Sequence, residues 1–482
     1  MRGAVDLLPK ASVEEVAGFI RSQTVTSTEV TRACLERIRA LDGAHHAFIT
    51  VLEEDALAAA AQADDDVRCG RPIGPLHGVP VSVKDAFLLR GTPTTVGAAV
   101  LRAHAPAEDD AACLDRLRDA GAVLLGKVNV GSGIAWQATA LSCGRLPPAE
   151  NPWRRGHTPG GSSSGSAVAV TLGMGYASIG TDSGGSVRNP AALSGVVGLK
   201  PTFGRVSQRG CVYGLCRSFE HIGPLTRTVR DAAILLHCLA GYDPQDPTSA
   251  DIAVPDYLNA LAPTPPETLH VGWCSDGGPL GAEADVLERV AGAVRVLRDL
   301  GMLVEELPSP AADPALWYEL TLLEEAAAFN KMLPTLPAYP EYARANLLRK
   351  RERVSRAAAA RAAAIQRSYA ALFSRYDLLV LPTAPLTAKP LTMPTLRWND
   401  DTRDTLDLHL ANTWVFNLTG HPAISVPCGF DRDRLPVGIQ LVARHFDEAR
   451  LLQAAARYEA TIGRFPLPPL VSAPVAPPTD QP

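Results

Sequence analysis

The chain has 482 residues, 46% hydrophobic and 20% charged, which suits a large soluble core in one big domain or two to three average ones. Its formal net charge is −5 with no long basic run, which weighs against nucleic acid as a partner. Met1 to Lys10 lacks an apolar signal core and no stretch approaches a clean membrane span, so the expectation is a cytoplasmic protein with no membrane partner.

Taken in chain order, Ser12 to Ala40 has helical periodicity, with Val13, Val16, Phe19 and Ile20 followed by Val30, Cys34, Leu35 and Ile38. Thr26-Ser27-Thr28-Glu29 supplies a cap for the second of two helices. An alanine-rich third helix is predicted over Glu53 to Val67. Strand-like runs then alternate with helices: Val79–Val83 and Val123–Gly126 around a helix at Asp110–Ala120, then a helix at Ala167–Gly173 and a strand at Ala177–Gly180. That βαβ rhythm implies an α/β fold with a parallel or mixed sheet covered on both faces. It resumes with strands at His270–Trp273 and Val304–Glu306 around an amphipathic helix at Ala284–Leu300.

Residues 313 to 375 read as helices rich in alanine and arginine. Solvated surface helices are the plain interpretation, and a lid or dimer surface over a pocket is the sharper one. Residues 466 to 482 contain seven prolines and no periodicity, and read as a tail. The nine cysteines are scattered singly apart from Cys211 and Cys216, and neither they nor the eleven histidines show ligand spacing. No metal or cofactor is therefore expected. The cysteines read as reduced packing thiols, or, for Cys211 and Cys216, as part of a loop lining a pocket.

The chemistry concentrates in two glycine- and serine-rich blocks, Thr158 to Ser166 and Gly180 to Pro190. Dense glycine leaves backbone N–H groups accessible, which suits a site that holds a developing oxyanion. Upstream, Gly78 to Asp85 reads as a short buried strand ending at Lys84. The chain has only seven lysines (Lys10, Lys84, Lys127, Lys200, Lys331, Lys350 and Lys389) among 46 Lys plus Arg. Arginine does not deprotonate in proteins, whereas a desolvated lysine does, so Lys84 is a candidate proton acceptor.

With Pro75–Asp85, the two Gly/Ser blocks, Gly195–Arg205, Ile222–Val229, Tyr376–Thr383 and Pro422–Pro427, the chain resembles the amidase signature family from about residue 12 to about residue 460. The resemblance implies one domain over 1–465: N-terminal helices at 12–67, a catalytic core at 75–230 and a helical insertion at about 313–375, built on a large twisted mixed sheet. It also implies a Ser–cisSer–Lys triad. The nucleophile falls on Ser186, the bridging serine with a cis peptide before it on Ser162, and the base on Lys84. The N–H groups of Ser183, Gly184, Gly185 and Ser186 would form the oxyanion hole. Asp182 and Arg188 would brace that loop, and Lys127 and Lys200 would be structural. A competing G-x-S-x-G reading centred on Ser163 lacks the strand that such an elbow needs before it.

Some features depart from the family pattern. Ser164 stands where a glycine is usual. Ile134, Ala135, Trp136 and Gln137 occupy a stretch that contributes to the pocket wall in the family, although a packed core tryptophan fits equally well. The glutamine-hydrolysing subunits of tRNA-dependent amidotransferases place an acid a few residues before the segment matching Asn417 to Pro422, and Leu410 to Phe416 holds none. Trp414 and Phe416 instead point to an apolar pocket. The expectation is therefore a stand-alone serine hydrolase cleaving small-molecule amides, with carbamates, ureides and esters open, and at most a second copy of itself as protein partner. The alternative is an amidotransferase subunit that delivers ammonia to a partner.

Overall fold

The computed structural model describes residues 8–71, 73–131, 146–212, 217–262, 268–310, 312, 316–317, 319–321, 324 and 356–472. An eleven-stranded mixed sheet organises them. Its strands are β1 (Phe48–Val51), β2 (Pro80–Lys84), β3 (Val123–Val128), β4 (Ala177–Asp182), β5 (Val197–Lys200), β6 (His221–Thr226), β7 (His270–Cys274), β8 (Leu303–Leu307) and β9 (Leu378–Pro382). A separate two-stranded hairpin, β10 (Thr395–Trp398) with β11 (Asp401–Asp404), precedes the last two sheet strands, β12 (Ala423–Phe430) and β13 (Pro436–Ala443). The order across the sheet is β1-β3-β2-β4-β6-β5-β12-β13-β9-β7-β8. β2 runs parallel to both β3 and β4, β7 runs parallel to β8 and β9, and antiparallel pairs join the two regions.

Local chemistry explains many of the element boundaries. Ser12 and Glu15 form a reciprocal capping box at Val13–Arg21, and Thr26 and Glu29 form another at Ser27–His45. All five residues of β2 are buried, as are all six of β3 and of β4, which is the pattern of central strands covered on both sides. Helices Ser164–Leu172 and Val229–Leu239 pack on β4 and β6, and Glu448–Ile462 packs on β12 and β13. The edge strand β1 was not expected from sequence: four residues between two helices carry little periodicity, and pairing with β3 fixes them. The proline-rich segment also departs from expectation, because Pro469–Ser472 forms a helical turn with Val471 buried. Among the described residues, no helix is long and apolar enough to cross a membrane.

The topology brings the two chemistry-bearing regions together. Lys84 is the last residue of β2 and Asp182 the last of β4, two parallel neighbours in register at Val83 and Ile179. Both strands therefore deliver their C-terminal loops to the same edge of the sheet, the place where open α/β sheets bind ligands.

Candidate active site

Lys84 is fully buried, and its ammonium donates to Ser162 Oγ at 2.7 Å and to Thr181 Oγ1 at 2.7 Å. Burial lowers its pKa, while Glu220, Cys211 and Asp182 push the other way. An ordinary ion pair with either neighbouring aspartate is not the arrangement found. Asp85 is held by Lys127 at 2.6 Å and Asp182 by Arg188 at 2.8 Å, so both carboxylates are engaged by other cations.

Ser162 sits on the bend before helix Ser164–Leu172, and the Gly161–Ser162 peptide is cis. At Gly160 the bend has no room for a larger residue. Gly160 has φ +84°, and a Cβ there would lie 2.6 Å from Asn189 Oδ1. Asn189 Oδ1 accepts from Gly161 N, and Ser162 O accepts from Gly131 N. Ser163 is buried, its hydroxyl donates to Thr181 O at 3.1 Å, and no strand precedes it. It has neither the exposure nor the setting of a nucleophile elbow.

Ser186 is partly exposed and lies in the loop between β4 and helix Arg188–Ser194. The carbonyls of this loop are all tied back. Ser183 O accepts from the Trp317 indole at 3.1 Å, Gly184 O from Thr413 Oγ1 at 2.6 Å, Gly185 O from Asn189 N at 2.7 Å, and Ser186 O from Ser163 N at 3.1 Å. Gly185 differs from the other expected donors, because its N–H is already given to Asp182 Oδ1 at 2.8 Å.

Asp182 and Arg188 are wholly buried and knit the loop together. The carboxylate accepts from Gly185 N, Val187 N and Arg188 N, and Arg188 reaches Thr413 O, Gln440 Oε1 and Asn417 Oδ1. Burial alone would raise the pKa of Asp182, but Arg188, Lys200 and Asn417 outweigh it and hold the carboxyl well below the usual carboxylate range. Lys200 donates to His421 O and Pro201 O in the same region.

Ile134, Ala135, Trp136 and Gln137 lie outside the described residues, as does Cys216. Trp414 and Phe416, read as pocket residues, are each only 1% exposed and sit in a core cluster with Tyr369, Phe373 and Trp317. The helical turn Val415–Leu418 directs them inward, where burial of large rings is favourable. Sequence reasoning did not single out Thr181, Glu220, Trp317 or Thr413. Glu220 offered the one available signal, a lone acid directly before a strand whose six residues are all buried.

The pattern of the family named Amidase matches residues 29–452. The A subunit of the glutamyl-tRNA(Gln) amidotransferase of Chloroflexus aurantiacus is 38% identical over 467 residues, covering 90% of this chain and 93% of the relative. The solved structure of the corresponding A subunit from Thermotoga maritima superposes with a TM-score of 0.76 at 30% identity, over 96% of this chain and 98% of that one. A chain from a vestigial protein complex, solved in connection with the origins of an s-triazine catabolic enzyme, gives a TM-score of 0.83 at 28% identity, over 95% of this chain and 100% of that one.

These likenesses correct two expectations. The reading as a stand-alone enzyme rested on the missing acid before Asn417, a single local feature. Near-full-length similarity to proteins named as subunits overturns it. The same finding overturns the expected partner set of a small-molecule amide and at most a second copy of the chain, because the relatives are named as subunits.

Proposed function

The chain belongs to the amidase family, and from that premise we propose that it is the amide-cleaving subunit of an amidotransferase, releasing ammonia from a carboxamide such as glutamine for a partner subunit to use. The observation behind the chemistry is the 2.7 Å contact between buried Lys84 and Ser162.

In this reading neutral Lys84 is the base. Ser186 Oγ attacks the carboxamide carbon as its proton moves to Ser162, whose own proton moves to Lys84 Nζ. The carbonyl π pair goes to oxygen, which is stabilised by loop N–H groups of Ser183, Gly184 and Ser186; losing one such donor raises the barrier by about 3 kcal/mol. The C–N bond then breaks while the proton returns from Lys84 through Ser162 to the nitrogen, which leaves as ammonia. Water attacks the acyl-enzyme by the same relay, the acid leaves, and Ser186 regains its proton.

Subunit status is supported by the names of the relatives. Because Leu410 to Phe416 offers no carboxylate for a substrate ammonium, the test compares glutamine with carboxamides that lack the amino group. Ammonia release is measured for the purified chain alone and for the chain with its co-purifying proteins. The expected result is release that rises when partners are present and is abolished by Ser186→Ala. Full activity of the chain alone, unchanged by any co-purifying protein, would overturn the subunit role. Fluorophosphonate labelling that persists in Ser186→Ala would overturn the assignment of the nucleophile.

A further inference from the structure

Glu220 lies beside this machinery without a part in it. It is wholly buried directly before β6, next to the strand that carries Thr181 and Asp182. Its Oε2 accepts from Ser183 Oγ at 2.8 Å, and its Oε1 is buried without a close hydrogen-bond partner among the described residues. A buried carboxylate with a bare oxygen is costly unless a cation or its own proton compensates it. Lys84 is a cation that favours the ionised form of Glu220, and Glu220 in turn favours the charged form of Lys84. Thr181 lies between them. It accepts from Lys84 at 2.7 Å, and its hydroxyl favours the ionised form of Glu220.

We propose that Glu220 is a positioning residue that serves as the counter-charge of Lys84, holding the ammonium that forms each time the lysine takes the proton of Ser186 through Ser162. The proposal rests on the reading of Lys84 as base. No proton need pass to Glu220. The carboxylate stabilises the charged product of the proton transfer, and through Ser183 Oγ it also ties the base to the loop that holds the oxyanion. Among the described residues, the titratable groups acting on it are Lys84 and Asp182, and those acting on Lys84 are Glu220, Cys211 and Asp182. Burial raises the pKa of Glu220 and lowers that of Lys84, and their attraction opposes both shifts, as for two groups that exchange stabilisation as they titrate.

The test is the rate of Ser186 labelling by a fluorophosphonate as a function of pH, in wild type, Glu220→Gln and Glu220→Asp. Lys84 works in its neutral form, so the rate rises through its pKa. Removing the neighbouring negative charge lowers that pKa. Glu220→Gln is expected to move the acid limb to lower pH and to reduce the plateau by about a hundredfold. Glu220→Asp, which withdraws the charge by one methylene, should move the limb the same way by less and recover much of the plateau. An unmoved limb in a folded Gln variant overturns the proposal. If that variant does not fold, an Asp variant with a wild-type limb and a reduced plateau does so. Labelling that survives Ser186→Ala would instead overturn the underlying reading of the triad, whatever the limb does.

Discussion

Lys84 and Lys200 are both buried lysines within the same sheet, yet their surroundings assign them opposite tasks. Lys200 ends in two backbone carbonyls, which accept its hydrogen bonds but have no proton to return. Lys84 ends in two hydroxyls, groups that accept its hydrogen bonds and can also give a proton back. Lys84→Arg should therefore lose at least about a hundredfold in kcat/KM despite keeping the positive charge, because guanidinium does not act as a base. A steady-state assay of the variant at several pH values checks this, and near wild-type rates would reduce Lys84 to an electrostatic role. Asp182 gives a second prediction at this scale. Asp182→Asn leaves Arg188 buried without its carboxylate, which should cost about 3–5 kcal/mol and be visible as a lowered Tm. The pKa of Asp182 is depressed in the folded state, so its contribution is present above the unfolded aspartate value near 3.9 and is lost as pH falls below it.

The elements differ in how much of themselves the sequence discloses. Capping boxes at Ser12 and Thr26, the buried run ending at Lys84 and the glycine blocks are local patterns, and reading them needs no knowledge of the fold. Contacts that span the chain are not written locally. Ser183 is held by Trp317, 134 residues away, and Gly184 by Thr413, 229 residues away. No periodicity links such pairs. This is also why Trp414 was misplaced in a pocket: an aromatic residue near a site motif looks the same in sequence whether its ring faces a substrate or a core. Tight packing of the loop makes a further prediction. A Cβ on Gly185 would meet Thr413 Oγ1 at 2.1 Å, and its φ of +131° disfavours any side chain. Gly185→Ala should thus suppress fluorophosphonate labelling of Ser186 while leaving the rest of the sheet folded, as judged by far-UV circular dichroism. Unimpaired labelling would show that the loop tolerates rearrangement.

At the scale of the whole molecule, buried histidines set an acid limit. Burial lowers the pKa of His221, His409 and His421, with His409 down to about 4. The unfolded chain binds these protons near pH 6.5 and the folded chain does not, so the contribution of these rings should be intact above that value and decline toward pH 4, against the opposite contribution of Glu220, Glu459, Asp231 and Asp407, whose carboxyls burial raises. Chemical denaturation of wild type and of His409→Gln at a series of pH values isolates the share of one ring, and identical pH slopes in the two proteins would contradict the effect of burying His409. The tied-back loop around Ser186 has a consequence for biosynthesis. Lys84, Ser162 and Ser186 are all made in the first half of the chain, but the side chains that orient their loop, Trp317, Thr413 and Asn417, come much later. A nascent chain therefore holds Lys84, Ser162 and Ser186 long before it holds the side chains that fix their loop. The loop can acquire all of these hydrogen bonds only after residue 417 has been made.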